Sequence, residues 1–219
     1  MRKVSAAAAC LLLSCNVVCA QSAIPERQVR GNTLLSERDP GVRIELPEQA
    51  RHAGAHRWTL YDVADCEVHV FVEADESKNV QRLYWIQFEG YIPSKPALHY
   101  DYSRSGTTKF AGRDFFVDAD FAEGNRKARP GSDLEHVQRL IHTNGYTLPD
   151  HMINVRLVHL FEQNRKELMI IYAEDMKPTG LTPAELQVGS NAEKQWPTIE
   201  RKLIENAKAS IAVEWTDGP

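Results

Sequence analysis

The apolar and polar positions of this chain fall into three regimes. Residues 4–18 are almost wholly apolar, residues 21–40 are polar with few large side chains, and from residue 42 onward short alternating runs take over. Alternation with a period of two is the signature of a strand with one face inward. It is clearest over 66–73, where Cys66, Val68, Val70 and Val72 share one face and Glu67, His69, Phe71 and Glu73 the other. The run 42–46 alternates until Pro47, and 57–63 precedes 66–73 as the first arm of a hairpin turning near Ala64 and Asp65. Residues 80–91 place Tyr84, Ile86 and Phe88 on one side and Leu83 and Trp85 on the other. Residues 108–117, rich in Phe and broken by Gly112, read as another strand. A second hairpin spans 153–162 and 167–173. Its run Leu168-Met169-Ile170-Ile171 is apolar at every position, which marks a central strand covered on both faces.

Two segments change period. Ser132-Asp133-Leu134-Glu135 fits a capping box, and Leu134, Val137, Leu140 and Ile141 keep a helical stripe until Asn144-Gly145 closes it. Pro197 opens a second helix with Ile199, Leu203, Ala207 and Ile211 along one side, and Thr182-Pro183 begins a short one. Parallel sheets need a crossover helix between most strands, and this chain has too few. The expected fold is α+β: a mainly antiparallel sheet with two principal helices, about 132–144 and 197–211, packed on one of its faces in a single domain over 41–219.

The first regime changes the picture of location. Arg2 and Lys3, an apolar stretch and the small residues Val18-Cys19-Ala20 are laid out as a secretory signal over 1–20, cleaved before Gln21. Leu12-Leu13-Ser14-Cys15 offers a second reading, with Cys15 as a lipidation site and a membrane tether. Either way the protein is expected to be exported, periplasmic or secreted, with 21–40 as a polar leader, Thr33 to Leu35 its one short strand candidate. Cleavage removes three of the four cysteines, so Cys66 remains as a lone thiol on the core face, without an intramolecular disulfide.

Charge and motifs exclude more than they assign. With 26 basic and 30 acidic residues the net charge is −4, which gives no basic face for nucleic acid. No second long apolar run predicts a transmembrane helix in the mature chain, and no motif calls for a cofactor. His52 and His56 have the spacing of two metal ligands on a helix, but their setting reads as a loop with two exposed histidines. Asp118, Asp120 and Glu123 resemble part of a calcium loop, yet the spacing fails and a solvated loop is expected. The polar run from His99 to Gly106 contains the ingredients of a hydrolase. His99, Asp101 and Ser103, with His159, are its catalytic candidates. The apolar and aromatic positions His69, Phe71, Leu83 and Trp85 are expected together on a second sheet face, either covered by a segment such as 94–113 or lining a groove. The functional expectation is an exported, non-catalytic domain of the bacterial cell envelope that binds a protein or small ligand, with Trp85 as the anchor. The alternatives are a periplasmic hydrolase and a lipid-anchored envelope assembly or inhibitor protein.

Overall fold

The computed structural model describes residues 24–216 apart from 188 and 191. The signal over 1–20 and Cys15 lie outside the described residues.

Among the described residues eleven strands form two antiparallel sheets. The larger is built from β4 (Arg51–Leu60), β5 (Ala64–Ala74), β6 (Val80–Tyr91), β7 (Gly106–Phe110), β8 (Arg113–Glu123), β9 (His151–Phe161) and β10 (Lys166–Asp175), in the order β4-β5-β6-β10-β9-β8-β7. The smaller has the order β1-β2-β3-β11, from β1 (Gln28–Arg30), β2 (Thr33–Ser36), β3 (Val42–Glu45) and β11 (Ala212–Trp215). The helices are α1 (Asp133–Thr143), the single turn α2 (Pro183–Leu186) and α3 (Trp196–Ser210). The α+β expectation holds, and β10, apolar on both faces, sits at the centre of the larger sheet.

Register decides which side chains share a face. Val70 lies opposite Trp85 and Phe71 opposite Tyr84. Val68, Val70, Val72, Leu83, Trp85, Met169 and Ala173 therefore form one apolar layer with Val137 and Ile141 of α1. Phe71, Tyr84, Ile86, Phe88, Leu168, Ile170 and Tyr172 form the other layer, with Leu203 and Ala207 of α3 and Leu34, Val42 and Ile44 of the small sheet. Each such side chain removed from water contributes roughly 1.5–3 kcal/mol before entropy is charged against it. The two principal helices thus pack on opposite faces, not on one, because both faces are apolar enough to need cover.

The helix ends follow their sequence signals. Ser132 Oγ accepts from Glu135 N at 3.4 Å, and the Glu135 carboxylate reaches back to Gly131 N at 2.7 Å. At the other end Gly145, at φ 76°, lets Tyr146 N reach Ile141 O at 3.1 Å.

Four expectations change. Residues 28–36 are not leader: β1 and β2 belong to the small sheet, and Arg27 ties them to β5 through Glu67 at 3.2 Å. His52 and His56 lie on a strand, with a register shift between His52 and Gly54 that sends them to opposite faces. Residues 118–123 are part of β8, not a loop. Around Gly112 the chain turns back, so 108–117 is a hairpin of β7 and β8 and not one strand.

Candidate functional site

The four residues expected to share a binding face do not share one. His69 and Phe71 face α3, while Leu83 and Trp85 face α1. All four are buried, Trp85 at 8 % exposure being the most open. The Trp85 indole donates to Gln87 Oε1 at 2.8 Å. A concavity of about 100 Å³ touches Leu83 and Trp85, well below the few hundred Å³ a ligand needs.

The hydrolase candidates are not brought together either. His99 Nδ1 lies 3.4 Å from Ala97 O, and the Asp101 carboxylate accepts from Ser103 N at 2.9 Å, a local turn. His159 is on the other side of the sheet, beside Phe115 and Trp215, with Nδ1 3.0 Å from Asp114 O. Of the histidines paired by spacing, His52 instead stacks on His69 and His56 on His136, with ring centroids 5.8 and 4.4 Å apart.

Two regions carry polar chemistry the sequence did not single out. The first is a groove of about 700 Å³ at one end of the large sheet, where three connections converge. These are the β5–β6 turn with Asp75 and Asn79, the α1–β9 link over 147–151, and the stretch after β10 with Asp175, Lys177 and Thr182. Val80 N donates to Thr147 O at 2.9 Å and Met176 N to His151 O at 3.0 Å, which fixes the three against one another. Buried Val80, Leu148 and Met176 form an apolar floor, and Asp150 and His151 stand on the polar rim.

The second is a set of carboxyl groups between the large sheet, α1 and the 92–105 connection. Cys66, Glu89 and Asp133 each place a ligand-type atom within 4.8 Å of the others. Glu167, on β10, interacts with both Glu89 and Asp133. Gln87 Nε2 donates to Glu89 at 2.8 Å, Tyr100 Oη donates to Glu89 at 2.9 Å and Tyr102 Oη to Glu167 at 2.9 Å. Asp133 Oδ1 is buried with no hydrogen-bond partner. Burial, reinforced by Glu89, pushes the Glu167 carboxyl up to about 8 and that of Asp133 up to about 6. Burial also pushes the Cys66 thiol and the Tyr100 and Tyr102 phenols upward. Chemically this is a buried acid, the Glu167 carboxyl, held neutral where water is scarce and beside other carboxyl groups. A signal for it existed. Glu89 continues the Leu83, Trp85, Gln87 side of β6, and Glu167 the Met169, Ile171 side of β10, so both are charged residue types in inward register.

Compared with known proteins, the chain matches no family model, no curated protein and no solved structure. Among the described residues no helix is long and apolar enough to cross a membrane.

Proposed function

We propose that this chain is an exported, non-catalytic binding domain of the bacterial cell envelope. Its ligand is a small polar molecule bearing hydroxyl or ammonium groups. The observation that supports this reading is the groove of about 700 Å³ between the three connections. Loops held on a rigid sheet are where binding surfaces usually lie, and an apolar floor with a polar rim suits a ligand of mixed character. Three aspartates, Asp75, Asp150 and Asp175, against Lys177 give the rim an excess of negative charge. A similar concavity of about 670 Å³ near the N-terminal strands has rim residues Arg38 and Glu26 already paired at 2.8 Å.

The test starts from protein recovered from its native envelope, with the co-purifying small molecule identified by mass spectrometry. That molecule is then titrated into the wild type, Asp150→Arg and Gln81→Arg. Both substitutions are at exposed groove positions. Binding weakened tenfold or more in both variants is the expected result. Unchanged binding in both would put the site elsewhere and overturn the reading.

A further inference from the structure

The 92–105 connection has unusual anchoring for a surface segment. Arg165 Nη1 donates to the carbonyls of Lys95, Pro96 and Leu98 at 2.7–3.0 Å. Tyr100 N donates to Asn164 O at 2.7 Å, and the Tyr100 ring stacks on Tyr91 with centroids 4.5 Å apart. Tyr102 stacks on Phe116 at 5.6 Å. The segment is therefore stapled along its outer side by one arginine. On its inner side two phenols reach the carboxyl cluster.

We propose that residues 92–105 form a pH-sensitive strap, closed over the α1 face of the large sheet while the Glu167 carboxyl beneath Tyr102 keeps its proton and loosened when alkaline conditions remove it.

The argument is one of linkage. With the strap closed, Glu167 is 3 % exposed and its charged form lacks water. Lifting Tyr102 away removes one donor that favours the charged carboxylate but admits water to it, and the lost desolvation is the larger of the two effects. The open form therefore holds its proton less tightly than the closed form, and rising pH favours opening. The groups facing Glu167 set the balance. Glu89 comes from β6 and Asp133 from α1, and each disfavours a further negative charge; Cys66 of β5 lies beside them as a neutral thiol, pushed upward by burial. Tyr91, Tyr100 and Tyr102 add phenols that resist ionising beside it. Among the described residues Arg156 of β9 is the cation that acts on Glu167, and it is shared with Asp118 of β8 at 2.8 Å. Above about pH 8 the closed form therefore holds a buried acid charged against its neighbours.

Cys66 reports the opening, since it lies beside the cluster at 1 % exposure. The experiment follows labelling of Cys66 by a neutral thiol reagent at pH 6 and pH 9 in the wild type and in Glu167→Gln. At pH 9 the wild type should label at least tenfold faster than the variant, and at pH 6 both should be slow. Removing the negative charge of Glu167 would by itself make the thiol more reactive, so a slower variant cannot arise from local electrostatics. Equal rates in the two proteins at pH 9, or a faster variant, would overturn the proposal. If Glu167→Gln does not fold, carbon-13 NMR titration of the wild-type glutamate carboxyls decides instead. A Glu167 carboxyl titrating near pH 8 together with shifts of the Tyr102 ring is expected, and titration in the ordinary range would overturn the strap.

Discussion

Glu67 and Glu167 are the two most deeply buried carboxyl groups described, at 1 % and 3 % exposure, and they behave in opposite ways. Glu67, on the α3 face, accepts from Glu26 N at 2.8 Å, Arg27 N at 2.9 Å and Arg27 Nη1 at 3.2 Å, and pairs with His69 Nε2 at 2.8 Å. Burial would raise it, but the His69 bond, the two backbone donors and the Arg27 charge hold it down at about 2. Glu167, on the α1 face, has Tyr102 as donor and other carboxyl groups as neighbours, and it stands at about 8. Equal burial with different partners separates the two by several kcal/mol of proton affinity. One face of the sheet therefore keeps a charge and the other keeps a proton.

The comparison can be broken most severely at Trp85. It belongs to the packed layer under α1, so Trp85→Ala should cost about 3–5 kcal/mol in chemical denaturation. A well-folded variant with a cost under about 1 kcal/mol would mean that the α1 face is not a true core. On the opposite face Arg27→Ala should cost about 3 kcal/mol, because it strands the Glu67 carboxylate without its cation. A negligible loss would show that the backbone donors and His69 suffice.

The pH dependence of stability sharpens the contrast. Glu67 is depressed, so its contribution is full above about 4.5 and is lost as pH falls toward 2. Glu167 is raised, so its contribution is full below about 4.5 and is lost as pH rises through about 8. His52 and His136 are both lowered to about 4, first by desolvation, so each costs stability as pH falls from 6.5 toward 4. Between 4.5 and 6 these slopes oppose one another. Above 6.5 that of Glu167 dominates, and stability should fall by about 2 kcal/mol from pH 6.5 to 8. Denaturation across that window measures it, and Glu167→Gln should flatten the slope. The smallest effect is expected at Cys66. Cys66→Ser should cost about 1 kcal/mol, since the new hydroxyl sits beside carboxyl acceptors. A loss above about 3 kcal/mol would mean that those groups cannot accept from it.

Much of this architecture was legible because alternation is a local property. The strands, the Ser132 cap and the central β10 all announce themselves in a few consecutive residues. What was not legible depends on partners distant in sequence. The alternation of β5 and of β6 is plain in each strand, but only their mutual register shows that Trp85 joins Val70 and Tyr84 joins Phe71. The spacing of His52 and His56 suggests a pair, and a single shift in the β4–β5 register separates them. The β1 strand was hidden because its short, polar sequence lacks the apolar runs that mark β5 or β10, and β2, legible at Thr33 to Leu35, gave no sign that it pairs into a sheet. The carboxyl cluster combines β6, α1 and β10, and no local pattern joins residues so far apart.

The four-stranded sheet sets a timetable as well as a shape. Its order β1-β2-β3-β11 places Val42 opposite Trp215 and Glu45 opposite Ala212, joining the earliest described strands to the last. Such distant pairing closes slowly, because nearly the whole chain must be arranged first. Until β11 arrives, β3 is left as an edge strand, with Val42 and Ile44 awaiting their final cover. A chain synthesised from its N-terminus therefore holds its stickiest edge open until the end. Pulsed hydrogen exchange during refolding should find β3 protected after β5 and β6.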